Sequence, residues 1–328
     1  MEKKLLGTTE IYVSPVGMGT SALGPGGRAR SLADGATLVR YAIGRGIDFL
    51  YAPESVICLR YIRKALHDLE PSFSQNALPR PVIAVSSLAI SREETRRALD
   101  DCRSALNLDV IDVFLLRDVV GPQDHGIDAP HSLERRADVW ECLLDAKSKG
   151  LIRAAGITTH DPEAMAAAAN TPGMDVVFPH LNFMSLGTDS REKMEAAVIK
   201  ASENGVGAVA TGVLGGGSLL SEYMSALNYA ANLKGLSGFI LGMGCKKDVD
   251  DATAFVEGRL PETYVPEPSI MKMFIDHSLC TGCGECVKYC TDAAINFADG
   301  PLPVVDTDKC VRCGFCLPVC QTRALLFL

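Results

Sequence analysis

Residues 280–290 read CTGCGECVKYC, and residues 310–320 read CVRCGFCLPVC. Eight of the twelve cysteines lie in these two stretches, which share the spacing C-x2-C-x2-C-x3-C. A C-x2-C-x2-C loop brings three sulfurs to one face of an iron–sulfur cubane, and the fourth ligand comes from the other stretch. The spacing therefore predicts two [4Fe-4S] clusters in the C-terminal part of the chain.

The exchange of the fourth ligand decides which cysteines share a cluster. The first cluster is predicted to be held by Cys280, Cys283, Cys286 and Cys320. The second is predicted to be held by Cys310, Cys313, Cys316 and Cys290. The alternatives are a pair of zinc sites, which usually use paired C-x2-C modules with four ligands each, and a disulfide framework, which needs an oxidising compartment. The spacing favours clusters over both.

The last fifty or so residues resemble the bacterial two-cluster ferredoxin through these two cysteine runs. Thr291 and Gln321 stand where that family usually has a proline after the fourth cysteine. The proline shapes a turn and is not a ligand, so the expected cluster type is unchanged. The resemblance implies an electron-transfer domain whose partner is another redox protein or a larger oxidoreductase complex.

Composition limits the remaining function classes. The chain has 328 residues, of which 47% are hydrophobic and 22% charged, enough for one large domain and a small one. The net charge of −8 argues against a nucleic-acid partner, whose phosphates need a basic surface. Residues 1–9 lack the apolar run of a signal peptide, and no stretch is long enough to span a bilayer. Clusters and thiols then predict a reducing, cytoplasmic location.

Apolar runs alternate with stretches of helical period through the first 258 residues. The predicted strands are 13–18, 47–51, 81–86, 110–116, 154–158, 176–181, 207–211 and 238–242. The predicted helices are 31–44, 56–69, 92–106, 133–149, 162–169, 191–203, 219–233 and 247–257. This alternation is typical of an α/β fold, a (β/α)8 TIM barrel. A doubly wound open sheet competes, but its usual G-x-G-x-x-G after the first strand is missing.

Prolines at 261, 266 and 268 among polar residues indicate a linker after the barrel. The predicted division is a barrel at residues 1–258, a linker at 259–275 and a two-cluster domain, small and of α+β ferredoxin type, at 276–328.

Chemistry in such a barrel belongs at the C-terminal ends of the strands. The polar side chains at those ends are Tyr51, Ser86, Arg117, Thr158, Thr159, His160, Asn182 and Thr211. The barrel resembles an aldo-keto reductase in four phrases, VSPVGMGT at 13–20, GIDFLYAP at 46–53, DVIDVFLLR at 109–117 and GLIRAAGITTH at 150–160. The resemblance implies reduction of carbonyls by a tyrosine acid, with a lysine paired to an aspartate and a histidine that orients the substrate.

The residues at those catalytic positions depart from the family. Tyr51 stands at the aspartate's place, Val56 at the acid's, Ser86 at the lysine's and Arg117 at the histidine's. Because proton transfer needs a donor poised near the working pH, these residues predict that the family's catalysis is lost and that no residue of the barrel is catalytic.

The cofactor side departs as well. Phe178 replaces the glutamine beside the nicotinamide, and Ala252 replaces the asparagine after strand eight. Gly215 to Ser218 form a glycine-rich stretch that could serve as a phosphate loop, although such a triplet is more often a turn. NAD(P) binding is therefore doubtful.

Other residues have plainer readings. Cys58, Cys102, Cys142 and Cys245 are expected to be core-packing thiols, and His125 and His131 to be solvated in a loop. His160 is next to a predicted helix cap. Arg117 beside Asp118 could bind an anionic group or form a structural ion pair.

Two functional hypotheses follow. In the first, the clusters relay single electrons and the barrel serves for docking or assembly. In the second, the barrel still binds a nicotinamide, flavin or other redox substrate and exchanges electrons with the clusters. The missing hydride-transfer residues favour the first.

Overall fold

The computed structural model describes residues 1–23, 31–119, 136–185, 190–217, 219–266, 273–275, 277, 280–290, 292–298, 300–310, 316–320, 322 and 324–327. Eight parallel strands form a closed barrel in the order β10-β3-β4-β5-β6-β7-β8-β9. Their bounds are β3 Val16–Gly19, β4 Phe49–Pro53, β5 Val82–Ser87, β6 Ile111–Val119, β7 Ile152–Thr159, β8 Val176–Pro179, β9 Gly207–Ala210 and β10 Leu236–Gly242. The predicted (β/α)8 barrel is confirmed.

Helices follow the strands around the barrel. Their bounds are α1 Leu32–Gly44, α2 Val56–Ser74, α3 Arg92–Leu106, α4 Ala137–Ser148, α5 Pro162–Ala168, α6 Arg191–Glu203, α7 Tyr223–Asn232 and α8 Lys246–Val256. Several begin at a side chain that accepts a backbone N–H of the first turn, as Ser91 accepts the N–H of Glu94 and Asp161 that of Ala164. These caps explain why their starts were readable from the sequence.

The first predicted strand, 13–18, is two elements in the structure. Tyr12–Val13 (β2) pairs antiparallel with Lys4–Leu5 (β1), and only β3 enters the barrel. The break falls at Pro15, which has no N–H to give to a ladder. The buried Ser14 accepts the N–H of Asp48 and donates its own N–H to the Asp48 carboxylate, which holds the break in place.

The interior of the barrel is filled by side chains at alternate strand positions. They include Phe49, Val82, Ala84, Val113, Leu115, Ala154, Val176, Phe178, Val209 and Ile240. Leu6, Ile11 and Val13 belong to the same cluster, so the β1–β2 hairpin closes the N-terminal end of the barrel. A second, larger core packs the outer strand faces against the helices. The barrel is therefore a packed body whose chemistry must lie at its C-terminal end.

Residues 259–266 of the predicted linker pack in part against the barrel. The Lys247 ammonium donates to the Tyr264 hydroxyl at 2.6 Å, and this bond raises the pKa of Lys247. The Tyr264 ring also meets the Tyr223 ring edge-on, with centroids 5.9 Å apart. Lys247 and Tyr223 lie in the first turns of α8 and α7, so the chain returns to the end of the helices nearest the barrel mouth.

The C-terminal part contains two small antiparallel pairs. Met273–Ile275 (β11) pairs with Leu325–Phe327 (β14), and Ile295–Asn296 (β12) with Val304–Val305 (β13). The short helices are Glu285–Lys288 (α9) and Cys316–Val319 (α10). Because β11 falls inside the predicted linker 259–275, its pairing with β14 favours a start of this domain at Met273. Among the described residues, no helix is long and apolar enough to span a membrane.

Candidate functional site

The loop before α9 depends on two glycines in the left-handed conformation. Gly282 has φ +69° and Gly284 has φ +78°. A Cβ at Gly282 would come within 2.7 Å of the Pro301 carbonyl oxygen, so the backbone passes too close to its neighbour for a side chain. The loop consequently wraps tightly between Cys280 and the buried Cys286.

Cys286 lies beside cysteines from both stretches of the sequence. Burial, together with the negative charges of Cys283, Cys320 and Cys280, raises the pKa of its thiol to about 11. Cys320 is far away in sequence, but the β11–β14 pair brings the end of the chain back to this loop. The four cysteines predicted for the first cluster therefore lie together.

The second predicted set can be placed only in part, because Cys313 lies outside the described residues. Cys290, Cys310 and Cys316 all belong to the apolar cluster of the C-terminal domain, in which Cys316 is buried. The two halves also match in detail. The Ala294 N–H donates to the Cys290 sulfur and the Ala324 N–H to the Cys320 sulfur, both at 3.2 Å.

These N–H···S bonds favour the thiolate form that a cluster requires. Burial raises the pKa of Cys320, but the Thr322 hydroxyl and the N–H groups of Ala324, Leu325 and Thr322 lower it on balance. No three described His, Cys, Asp or Glu side chains are grouped tightly enough for a single metal ion. Thiolates are the ligands of iron–sulfur clusters, so the chemistry of this donor set fits cubane clusters.

A ring of polar side chains lies at the C-terminal end of the barrel. Because strand side chains alternate between inside and outside, the residue two positions after an interior residue is expected on the same face. Tyr51, two residues after Phe49, packs against the interior cluster. We call these residues the mouth ring; they are Tyr51, Ser86, Arg117, Thr158, His180 and Thr211. The register between β6 and β7 shifts between Leu116 and Val119, so a bulge lies beside Arg117. Bulges often re-aim side chains at active sites.

Aromatic rings form the floor beneath the mouth ring. Phe178 is fully buried, with its centroid 6.0 Å from Phe49 and 5.4 Å from Tyr51. The Tyr51 hydroxyl donates to the Ser86 hydroxyl at 2.9 Å. A neutral hydrogen bond thus joins the two strand ends, and the space below it is filled by apolar side chains.

Two histidines stack at the edge of the mouth ring. The rings of His160 and His180 are nearly parallel, with centroids 4.0 Å apart and planes 15° apart. Gly212 lies against the His180 ring, and the buried Asn182 donates from Nδ2 to the Gly212 carbonyl at 3.4 Å. His180 is therefore held between a stacked ring and a backbone that has no side chain at the point of contact.

Replacing Gly212 by alanine is expected to destabilise the protein more than the same change at Gly258. Both have nearly equal backbone angles, φ +68° and φ +67°. This conformation costs an alanine about 1–2 kcal/mol at either position. Only the new Cβ at 212 would collide with the His180 ring, whereas nothing lies within 4 Å at 258, so Gly212→Ala should lose about 1–3 kcal/mol more. Urea unfolding followed by circular dichroism measures the difference, and equal losses would refute the contact.

Comparisons with known proteins match both the barrel and the cysteine-rich C-terminal domain. The model of the aldo/keto reductase family matches residues 15–233. The chain belongs to the aldo/keto reductase family. The 4Fe-4S binding domain model matches twice, at residues 273–296 and 303–326. An aldo/keto reductase barrel is thus joined to a 4Fe-4S domain.

Solved aldo-keto reductases share the fold at low identity. A putative aldo-keto reductase from Pseudomonas aeruginosa is 19% identical with a TM-score of 0.63, covering 79% of this chain and 95% of that one. The aldo-keto reductase AKR11C1 from Bacillus halodurans, in its holo form, is 17% identical with a TM-score of 0.62, covering 82% and 93%. No curated protein sequence matches the chain.

The structure places the residues that depart from the family. Val56 is 55% exposed at the start of α2, Phe178 lies in the barrel floor, and Ala252 is buried in α8. Gly215–Gly217 form a short 3-10 turn. His125, His131 and Ser218 lie outside the described residues.

The prediction of four core-packing thiols needs refinement at Cys245. Cys58, Cys102 and Cys142 are buried, but Cys245 is partly exposed and forms a reciprocal cap of α8 with Asp248. His180 and Gly212 were missed by the sequence reading. For His180 the signal is the alternation in β8, because His180 follows the inward Phe178 by two residues.

Proposed function

We propose that this protein relays single electrons through two [4Fe-4S] clusters to a redox partner or within a larger oxidoreductase complex. The proposal rests above all on one observation, the position of Cys320 beside Cys286. That position is the one required when the fourth ligand of one cysteine run completes the cluster of the other.

The chain supplies both the ligands and their surroundings. The proposed ligands of the first cluster are Cys280, Cys283, Cys286 and Cys320, and those of the second are Cys310, Cys313, Cys316 and Cys290. When bound, the clusters supply one-electron chemistry. Cys286 and Cys316 are buried, so little water reaches them. The Ala294 N–H donates to the Cys290 sulfur and the Ala324 N–H to the Cys320 sulfur. Such hydrogen bonds tune the reduction potential.

We further propose that the barrel has lost the family's catalysis and serves for docking or assembly. In this barrel a hydroxyl–hydroxyl bond joins Tyr51 to Ser86 where the family would pair a carboxylate with an ammonium. Val56 has no proton to donate, and Arg117 is a permanent cation. A phenol has a pKa of about 10 and donates a proton poorly at neutral pH unless a cation lowers that pKa, and Ser86 stands where the family has the lysine that does so.

In the second candidate function, the barrel binds a redox-active ligand. The mouth ring favours it, because six polar residues stand at the C-terminal ends of the barrel strands, where such folds bind ligands. In that case the barrel would bind a nicotinamide, flavin or other redox substrate and exchange electrons with the clusters.

An anoxic titration separates the two candidates. Dithionite should bleach the visible absorbance of the clusters, whereas NADH and NADPH should leave it unchanged, because Phe178 and Ala252 replace the polar residues that would hold a nicotinamide. Cluster reduction by either nicotinamide, in the absence of any other protein, would favour the second candidate.

Two further expectations stay predictions. The domain limits are proposed as residues 1–258, 259–275 and 276–328, with β11 favouring the earlier start for the last domain. A cytoplasmic location is expected from the cysteine content, because exposed cluster ligands persist best in a reducing compartment.

A further inference from the structure

A cavity of about 490 Å³ opens at the N-terminal end of the barrel, where β5, β6 and β7 begin. Val82 is the first residue of β5, and Asp112 and Arg153 are the second residues of β6 and β7; all three line the cavity. Sites for small molecules usually have volumes of about 300–1,000 Å³. The cavity can therefore hold a small ligand, at the end of the barrel opposite to the one where such folds carry their chemistry.

One arginine of the cavity is fixed in place by an aspartate. Arg153 Nη1 donates to Asp112 Oδ1 at 2.7 Å, and Asp112 Oδ2 accepts the N–H of Ile83 at 2.9 Å. These bonds hold the Arg153 guanidinium beside the start of β5. Among the described residues they engage only Nη1 of this side chain. Because a guanidinium has five N–H donors in a fixed plane, Arg153 keeps donors for a ligand.

Arg80 is the second cation that lines the cavity. Within the part of the chain that the structure describes, it makes no hydrogen bond and no ion pair. Pro79 and Pro81 flank it, and a residue before proline is restricted to extended backbone angles, so its backbone is ordered before a ligand arrives. Asp112 offsets one of the two arginines, which leaves a positive charge in a chain whose net charge is −8.

The rest of the lining is mostly apolar. Pro81 and Val82 are buried, whereas Val110, directly before β6, is 37% exposed. A ligand with an apolar body would cover the exposed part of Val110, and removing apolar surface from water is favourable. The cavity thus combines two guanidinium groups with an apolar wall.

We propose that this cavity binds a small organic dicarboxylate, with Arg80 and Arg153 as its cationic partners and Val110 against its apolar body. Arginine suits this role because its planar guanidinium can donate two parallel hydrogen bonds to a carboxylate. Two arginines in one lining favour two carboxylates over one. The inference goes beyond the electron relay and does not depend on it.

Calorimetry on the anoxic, cluster-loaded protein tests the proposal with four probes: phthalate, benzoate, phthalamide and inorganic phosphate. Phthalate should bind saturably at one site. Benzoate, which has one carboxylate fewer, and phthalamide, which has no charge, should each bind at least about 10-fold more weakly. Phosphate lacks the apolar body and should also be the weaker ligand. Equal binding of phthalate and benzoate, or tighter binding of phosphate, would overturn the dicarboxylate assignment.

Two arginine variants locate the site. Arg80→Gln and Arg153→Gln should each weaken phthalate binding about 10-fold, and glutamine at 153 can still donate an N–H to Asp112. The matched control is Arg63→Gln, which removes an exposed arginine of α2 that does not line the cavity and should change nothing. Phthalate binding that is equal in all three variants would place the ligand elsewhere and overturn the proposal.

A change at Val110 tests the same cavity without removing an arginine. Val110→Glu adds a negative charge to the wall and should weaken phthalate binding, whereas Val110→Gln, which has nearly the same shape without the charge, should weaken it less. Val110 is 37% exposed, so both variants should fold, which circular dichroism verifies. Equal affinities of the two variants for phthalate would show that no anion binds beside Val110 and would contradict the proposal.

Discussion

Replacing Cys320 by serine is expected to remove the same cluster as replacing Cys283. The anoxically prepared protein should contain about eight irons per chain, and either variant should keep about four. The reason is spatial, since Cys320 lies beside Cys286 together with Cys283 and Cys280. Cys290→Ser should in turn remove the other cluster. Iron analysis with electron paramagnetic resonance of the reduced protein measures which signal disappears.

Cys245→Ser is the matched control for these variants. Cys245 is a partly exposed thiol that caps α8, and serine is a good residue at that position, so all of the iron should remain. Loss of the Cys310 cluster signal in Cys320→Ser would contradict the ligand exchange. Zinc in place of iron in anoxic protein would contradict the clusters altogether.

The second large effect is expected in the barrel, where turnover of simple aldehydes or ketones with NADH or NADPH should be negligible. The expectation rests on the proposed loss of the family's acid and of its supporting groups, since losing a general acid alone costs about 10²- to 10⁴-fold. Steady-state assays with both nicotinamides measure this. Robust turnover by the unmodified chain that Tyr51→Phe abolishes would show a working reductase.

Rebuilding the acid is also expected to fail. Tyr51→Asp with Val56→Tyr and Ser86→Lys would restore the residue types of the family, but Phe178 and Ala252 would remain. Phe178 fills the barrel floor against Phe49 and Tyr51, so the place of a polar contact to a nicotinamide is occupied by packed rings. The triple variant should therefore show no gain beyond its background. A gain of several orders of magnitude would show that Phe178 leaves the cofactor site intact.

Local patterns in the sequence were sufficient for the helices and most strands. Arg92–Leu106 and Arg191–Glu203 were predicted to the residue, because a serine cap marks each start. The predicted helix at 219–233 is instead a 3-10 turn at Leu220–Glu222 followed by α7. The first strand was divided because Pro15 and the Ser14–Asp48 bonds interrupt it, and Asp48 is a distant residue that no local pattern reveals.

The contacts of the predicted linker could not be predicted from the local sequence either. Prolines predicted an irregular segment, but the contacts of Tyr264 with Lys247 and Tyr223 depend on where α7 and α8 stand around the barrel. The residues that depart from the family could likewise be named from the sequence. Their packing, a Tyr51–Ser86 hydrogen bond above a floor of edge-on and tilted aromatic rings, could not.

The sequence by itself determined the barrel and the 4Fe-4S motifs, because strand period and cysteine spacing are local properties. Only the tertiary structure brought Cys320 to Cys286, stacked His160 on His180 and joined the Tyr51 and Ser86 hydroxyls. Those arrangements join residues from separate strands and loops. They follow from barrel closure and β11–β14 pairing, which short-range sequence patterns do not encode.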